Sequence, residues 1–152
     1  MENQIPDQAI PTASAILRGD PSHSQIMGEA TFAPFGRGTL VVIRLLGLPA
    51  PGFLGFHIHE NGDCATGGDV PFSSAGGHYD PHGVTHPWHA GDLPPLLATS
   101  DGTALLAVYT DRFTPADVMG RAVIVHEMAD DLHSQPAGDS GMRIACGVIR
   151  EI

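Results

Sequence analysis

Fifteen residues near the middle of the chain, HYDPHGVTHPWHAGD at 78–92, contain four of its nine histidines and two aspartates. Imidazole and carboxylate groups are among the side chains with which proteins bind metals such as zinc and copper. The histidines recur every three or four residues, as on one face of a helix, but Pro81, Gly83 and Pro87 would break a helix there. The segment is therefore predicted to be a loop, and loops on a rigid scaffold often carry functional residues.

A second group of histidines stands in FHIHE, where His57 and His59 flank Ile58. Alternate residues of a β-strand point to the same side, so the two imidazoles would lie roughly 6.5 Å apart at Cα and could bind one ion. The pair alone is equally typical of a polar strand surface, but the histidine-rich loop and His126, at the end of another predicted strand, favour a metal site. An all-imidazole set suits copper or zinc, and three imidazoles with a carboxylate suit tetrahedral zinc, so the sequence indicates two sites.

Two other histidine motifs lack their defining ligand in this chain. Cupin barrels also begin with H-x-H, but they require a glutamate three or four residues after the second histidine, where this chain has Asp63 and Cys64. A zincin requires H-E-x-x-H, whereas HENGD at 59–63 lacks the second histidine. Neither motif therefore describes this site.

Short segments with the residue pattern of β-strands must position these ligands. Strands are predicted at 12–17, 26–32, 38–46, 54–60, 97–100, 103–109, 123–126 and 143–149. Two polar loops, 61–95 and 130–141, separate some of them. A loop as long as the first is rare in a compact domain unless it is functional or disordered. With Gly 19, Pro 13 and few aromatic residues, we expect a single all-β domain over 1–152, a sandwich or barrel with residues 1–11 frayed.

The chain is strongly acidic, with seventeen acids against seven arginines, no lysine and a formal net charge of -10. We therefore expect neither nucleic acid nor an anionic membrane as a partner. No run approaches the length of an apolar membrane span, and the start lacks the basic and apolar regions of an export signal. On the sequence as given we expect a cytoplasmic protein, with export as the alternative if a leader has been removed.

Four segments resemble the copper, zinc superoxide dismutase family in their order and spacing, over nearly the whole chain. They are GFHIHENGDC at 55–64, SAGGHYDP at 74–81, HAGDLPPL at 89–96 and GRAVIVHEMADDL…GDSGMRIACGVI at 120–149. The resemblance implies an eight-stranded Greek-key β-barrel, an immunoglobulin-like sandwich, with two long loops closing over the metals. The position of Cys64 directly after HENGD is similar to bacterial members.

The resemblance also implies which side chains hold each metal. The copper ligands would be His57, His59, His78 and His126. The zinc ligands would be His78, His86, His89 and Asp92. Four imidazoles suit the tetragonal nitrogen field that copper(II) prefers, and His78 would bridge the two metals as an imidazolate.

Three further roles follow from the resemblance. Asp130 matches the aspartate that hydrogen-bonds one copper histidine and one zinc histidine and so fixes both rings. Arg143 matches the arginine beside the copper that attracts and orients the anionic substrate, and together with His78 it is a predicted catalytic residue. Cys64 and Cys146 match an intrachain disulfide, although residue type alone favours two buried thiols.

The other histidines and arginines match no position in the family's metal centre. We interpret three histidines as surface residues: His23, His82 and His133. We interpret five arginines as charges on the barrel surface: Arg37, Arg44, Arg112, Arg121 and Arg150.

The implied reaction is the disproportionation of superoxide to dioxygen and hydrogen peroxide by a redox-cycling copper, bridged through His78 to a structural zinc. Two protons are consumed, and in the family the bridging histidine can take up and deliver one of them. The alternatives are a non-catalytic copper- and zinc-binding protein and a copper-only dismutase with an empty zinc site. We expect a monomer or a homodimer.

Two features depart from the family pattern. Only two residues separate His86 from His89, so the zinc subloop, residues 86–92, is shortened; gaps of two residues between ligands are nevertheless common in zinc sites. The loop at 132–142 is also short, and it has none of the lysines that guide superoxide in many relatives.

We predict an active enzyme with weak electrostatic steering, because Arg143 is the cation that remains beside this loop in a chain of net charge -10. Focusing of an anion depends on local positive potential, which physiological salt screens over about 8–10 Å. The rate of superoxide dismutation should therefore change little between low and high ionic strength. A rate near the diffusion limit that falls steeply with added salt would contradict this prediction.

Overall fold

The computed structural model describes residues 9–152, and most of the lead predicted to fray, residues 1–11, lies outside that range. Within it, the strands are β1 (Ala13–Gly19), β2 (Met27–Phe35), β3 (Gly38–Leu46), β4 (Gly52–Leu54), β5 (Phe56–His59), β6 (Leu96–Ala98), β7 (Ala104–Thr110), β8 (Ala122–His126), β9 (Arg143–Val148) and β10 (Arg150–Glu151). One short α-helix, α1 (Pro115–Val118), follows β7, and two 3₁₀ helices lie at Pro21–His23 and Ser73–Ala75. No helix in the described range has the length and apolar character needed to cross a membrane.

The strands form one curled antiparallel sheet and one small ribbon. The order in the main sheet is β5-β8-β9-β1-β2-β3-β7, and β10 also pairs with β1. The ribbon consists of β4 and β6. The main sheet therefore has eight strands, which confirms the all-β barrel architecture predicted from the sequence. Two long connections leave this scaffold, the metal loop (residues 60–95) and the second loop (residues 127–142).

Alternation along the strands builds the apolar core inside the curled sheet. In β3, Val41 and Ile43 are buried, while Arg44 faces solvent. In β5, Phe56 and Ile58 belong to the same buried cluster. His57 and His59 alternate with these two residues and therefore point to the opposite side of β5, where the two loops lie.

The single strand predicted at 54–60 is interrupted at Gly55. Gly55 donates its N–H to Met128 O at 2.8 Å, and its carbonyl accepts the N–H of His126 at 2.9 Å. A Cβ at this position would lie 2.6 Å from Ser140 Oγ, so only glycine allows the second loop to pack so closely. The predicted strand is therefore two strands, of which β4 pairs with β6 and β5 pairs with β8.

A disulfide between Cys64 and Cys146 ties the metal loop to β9. The two Cα atoms are 5.7 Å apart and the residues are separated by 82 positions in the sequence. The bond packs in a small apolar cluster with Phe72 and Ala75 of the metal loop. The pairing implied by the family resemblance is confirmed, and the interpretation of two free thiols is wrong.

We predict that the double substitution Cys64→Ala with Cys146→Ala lowers the free energy of unfolding by about 2–5 kcal/mol, because the long loop is no longer closed in the unfolded chain. Urea unfolding of the metal-free protein measures the change. Wild-type protein treated with a reductant is the matched control and should unfold at the urea midpoint of the double variant. An unchanged midpoint in both samples would show that the disulfide contributes nothing to stability.

Candidate metal centre

One end of β5 and β8 collects six buried histidines from separate parts of the chain. They are His57, His59, His78, His86, His89 and His126. His57 and His59 lie on β5, and main-chain pairing places the metal loop beside them. His78 forms a β-bridge with His59, and the N–H of Tyr79 donates to Ile58 O at 2.8 Å. The pairing of the metal loop with β5 thus brings together histidines that lie far apart in the sequence.

Four of these side chains form the histidine cluster: His57, His59, His78 and His126. One ring nitrogen of each lies within 4.8 Å of the other three. In each of the four rings one nitrogen is buried without a hydrogen-bond partner, Nδ1 in His57 and Nε2 in the others. An unpartnered buried polar atom costs about 1–3 kcal/mol, so four such atoms at one point fit a bound cation that accepts their lone pairs.

The opposite ring nitrogens in the histidine cluster have partners that fix each ring. His59 Nδ1 donates to Gly76 O at 2.9 Å, and His126 Nδ1 donates to Gly141 O at 3.2 Å. Because a carbonyl can only accept, the proton lies on Nδ1 and the lone pair lies on Nε2. The main chain of the two loops therefore sets the tautomer in which each ring can bind a metal.

A mixed cluster, consisting of His78, His86, His89 and Asp92, adjoins the histidine cluster. His78 Nδ1 lies 2.7 Å from Asp92 Oδ1, while Nδ1 of His86 and Nδ1 of His89 each lie 3.1 Å from Oδ2. The nitrogens of His86 and His89 are near the carboxylate but are not aligned to hydrogen-bond with it. Three imidazoles and one carboxylate that converge in this way fit tetrahedral zinc.

The grouping around Asp92 in which all ligand atoms lie within 4.8 Å of one another contains His57 in place of His89. His57, however, has its Nε2 on Asp130 at 2.7 Å and its Nδ1 among the other histidines. His89 Nδ1 has no such competing partner. We therefore place His89, and not His57, in the mixed cluster.

His78 belongs to both clusters because its two ring nitrogens face different groups. Its ring centroid is 4.0 Å from that of His57 and 5.4 Å from that of His89. Burial lowers the pKa of His78 to about 4, although the hydrogen bond to Asp92 acts in the opposite direction. Burial likewise lowers the pKa of His126 to about 3 and that of His59 well below its ordinary value. At neutral pH these rings are uncharged, which is the form that binds metals.

Asp130, in the second loop, hydrogen-bonds one histidine of each cluster. Its carboxylate accepts from His57 Nε2 at 2.7 Å and from His86 Nε2 at 2.8 Å. Burial opposes ionisation, but these bonds and the N–H of Leu132 outweigh it and hold the pKa of Asp130 well below its usual range. Gly138, with a φ of +69°, packs directly on the carboxylate, where a Cβ would collide with it.

Arg143, the first residue of β9, lies beside the histidine cluster. Its guanidinium donates to Phe72 O at 2.8 Å and to Gly76 O at 2.6 Å. Together with His59, His78 and His126 it lines an open cavity of about 390 Å³. A small ligand in this cavity can therefore contact the guanidinium and the imidazoles that line it at the same time.

Two arginines assigned to the surface from the sequence contact the metal loop instead. Arg121 donates to Glu60 O at 3.0 Å, and its guanidinium stacks over the ring of Tyr79 at 3.9 Å. Arg112 donates to carbonyls of the zinc subloop. The acceptors are main-chain atoms, so no residue pattern could have indicated these contacts. The surface interpretation of Arg112 and Arg121 is therefore incomplete.

Gln135, in the second loop, is a further contact that the sequence did not indicate. Its side chain donates to His86 O at 2.7 Å and accepts the N–H of His86 at 3.0 Å. The histidines interpreted as surface residues stay outside both clusters. His82 is exposed, the side chain of His133 is 80% exposed, and His23 contacts Asp20.

The fold and the site together define a β-barrel with two adjoining clusters of side chains that could hold metal ions and that share one histidine. A family model described as copper/zinc superoxide dismutase matches residues 26–149. The chain belongs to this family. The predictions that it is a superoxide dismutase, an oxidoreductase with copper and zinc as cofactors, are confirmed.

Similar proteins come from several bacteria. The chain is 41% identical over 145 residues to a superoxide dismutase [Cu-Zn] of Deinococcus radiodurans, which covers 84% of this chain and 79% of that protein. It is 35% identical over 156 residues to one of Caulobacter vibrioides, covering 91% and 86%. The solved Cu/Zn superoxide dismutase from Brucella abortus superposes with a TM-score of 0.80 at 32% identity, covering 90% of this chain and 98% of that one.

We predict that Asp130→Asn weakens the binding of copper and of zinc by about 10- to 100-fold each, because an amide cannot accept from both imidazoles. Competition with a chelator of known affinity measures both dissociation constants. Asp139→Asn is the matched control, since it makes the same substitution at an exposed residue of the same loop. Equal affinities in Asp130→Asn and wild type would mean that the carboxylate does not orient the ligands.

Proposed function

We propose that the two clusters are the copper and zinc sites of a superoxide dismutase. The copper ligands would be His57, His59, His78 and His126. The zinc ligands would be His78, His86, His89 and Asp92. The observation that carries the proposal is the convergence of buried, unpartnered imidazole nitrogens beside the guanidinium of Arg143. When bound, copper supplies a reversible one-electron change, and zinc fixes the shared imidazole.

Arg143 binds and orients the superoxide anion. Its guanidinium is held from the side of the metal loop by the carbonyls of Phe72 and Gly76, so its position is set before substrate arrives. A charge held in a partly buried cavity attracts an anion more strongly than the same charge in bulk water. Glu60 and Asp80 also line this cavity and oppose that attraction, which agrees with weak steering.

His78 supplies a proton to the substrate through its Nε2 atom. This nitrogen has no hydrogen-bond partner among the described residues and belongs to a side chain that lines the cavity. Nδ1 stays on the side of Asp92, 2.7 Å away, so the ring keeps its place while Nε2 gains and loses a proton. In the net reaction, two superoxide anions and two protons give one dioxygen and one hydrogen peroxide.

Each alternative function would be favoured by the loss of a specific group. A non-catalytic metal-binding protein would be favoured by the loss of a copper ligand or of Arg143, and a copper-only dismutase by the loss of a zinc ligand. The described residues contain all of these groups with their nitrogens convergent. The single domain over 1–152, the monomeric or homodimeric state, the exclusion of nucleic acid and membranes, and the cytoplasmic location stay predictions.

We predict that His86→Ala and His89→Ala each lower bound zinc well below one ion per chain, because each removes one of four ligands. Part of the copper should remain, since the histidine cluster keeps its four imidazoles. Elemental analysis of protein purified with both metals measures this, together with an assay of superoxide dismutation. His82→Ala, an exposed histidine of the same loop, is the matched control. Unchanged zinc in both variants would refute the zinc site.

We predict that Arg143→Gln lowers kcat/KM for superoxide by about tenfold, because the cavity loses its fixed cation. Copper content should be unchanged, since Arg143 donates only to main-chain carbonyls. Arg37→Gln removes a charge whose side chain is 86% exposed and should leave kcat/KM unchanged. Equal values of kcat/KM for Arg143→Gln and wild type would exclude a role for Arg143 in binding the substrate.

A further inference from the structure

Arg112 follows β7 and reaches over the zinc subloop, residues 86–92. Its Nη1 atom donates to Pro87 O at 2.8 Å and to His89 O at 3.1 Å, and it lies 3.5 Å from Asp92 O. The two hydrogens of Nη1 serve the first two carbonyls, and the third stands at the limit of a hydrogen bond. One nitrogen atom thus contacts the main chain at three points of the subloop.

These three carbonyls belong to zinc ligands or to their immediate neighbours. His89 and Asp92 are ligands in the mixed cluster, and Pro87 follows His86 directly. Between the ligands stands Trp88, whose side chain is exposed and whose ring lies 5.6 Å beneath the Arg112 guanidinium. A cation over an indole ring is attracted to it. The guanidinium therefore holds both the carbonyls and the side chain in the middle of the subloop.

Arg112 is itself attached to a rigid part of the barrel. The next residue, Phe113, is buried in the core, and its carbonyl accepts Thr39 Oγ1 of β3 at 2.8 Å. The N–H of Arg112 donates to Thr110 Oγ1 at 3.2 Å. A displacement of the Arg112 main chain would therefore require movement of the barrel wall.

Within the subloop, His89 N–H donates to Asp92 Oδ2 at 3.0 Å and Asp92 N–H donates to His89 O at 3.1 Å, which are local contacts. Other hydrogen bonds from distant parts of the chain reach the main chain at the two ends of the subloop. At the start, the main chain of His86 pairs with the Gln135 side chain, and near the end Gly91 O accepts the N–H of Ile58 at 2.9 Å. Among the described residues, Arg112 is the sole side-chain donor to the carbonyls between these ends. One guanidinium thus ties the main chain in the central part of the shortened subloop to the barrel.

We propose that Arg112 is a positioning residue for the zinc site, which fixes the carbonyls around His89 and so aims the ligands of the subloop. The inference rests on the proposed function, which places zinc on these ligands. The two possible effects of Arg112 on zinc have opposite signs. A nearby positive charge repels a divalent cation, so its removal would strengthen zinc binding if charge alone mattered. Loss of positioning weakens zinc binding instead.

The test compares the zinc dissociation constants of full-length wild type, Arg112→Ala, Arg112→Lys and Arg37→Ala, measured by competition with a chromophoric chelator. We expect Arg112→Ala to bind zinc about 10- to 100-fold more weakly than wild type. The lysine in Arg112→Lys keeps the positive charge but lacks the planar guanidinium. Its zinc dissociation constant should therefore lie between those of wild type and Arg112→Ala. Arg37→Ala removes a charge near Asp111, the neighbour of Arg112, and should match wild type.

A second readout is the absorption spectrum of Co²⁺ bound in place of zinc, which reports the geometry of the ligands. The cobalt bands of Arg112→Ala should shift from those of wild type, whereas those of Arg37→Ala should not. Circular dichroism of each metal-free variant checks the fold. If Arg112→Ala does not fold, the comparison of Arg112→Lys with wild type carries the test.

Zinc affinity and cobalt bands in the Arg112 variants that equal those of wild type would overturn this inference, and so would tighter zinc binding. In those cases wild type still binds zinc, and the proposed function stands. A different result, in which wild type binds no zinc or His86→Ala binds it as well as wild type, would refute the proposed zinc site itself. The two failures are therefore distinguishable.

Discussion

Buried imidazoles that lack a hydrogen-bond partner on one nitrogen are the constraint on which this structure depends. In water each ring would be hydrated and partly protonated near pH 6.5. Burial keeps His78 and His126 neutral, and it leaves the Nε2 atom of each without a partner. Such an arrangement is costly unless a metal accepts the lone pairs. The barrel and both loops are thus organised around a site whose stability depends on the bound ions.

The acceptors on the opposite ring nitrogens come from different parts of the chain and so connect the fold to the site. The second loop supplies Asp130 and the carbonyl of Gly141, and the metal loop supplies the carbonyl of Gly76. These loops have little regular structure of their own. The disulfide from Cys64 to Cys146 and the interrupted strand at Gly55 attach them to the barrel. The orientation of the ligand rings therefore depends on how the two loops are attached to the barrel as much as on the strands.

The sequence predicted the parts of the centre that depend on side-chain identity. The spacing of His57 and His59 on a strand and the density of histidines at 78–92 indicated two metal sites, and the family resemblance indicated the disulfide. The interruption at Gly55 was missed, because it depends on the approach of a distant loop. The contacts of Arg112 were missed because main-chain carbonyls accept them. Any residue provides a carbonyl, so only the folded chain reveals where such acceptors converge.

The carbonyl of Gly76 has a consequence for the assembly of the enzyme. It accepts both from the Nδ1 atom of His59 and from the guanidinium of Arg143. The proposed copper ligand His59 and the proposed substrate-binding cation Arg143 therefore take their positions from one atom of the metal loop. A chain in which this loop is displaced loses both together. In a chain whose metal loop is not yet in place, the orientation of the His59 ring and of the Arg143 guanidinium would therefore be missing at the same time.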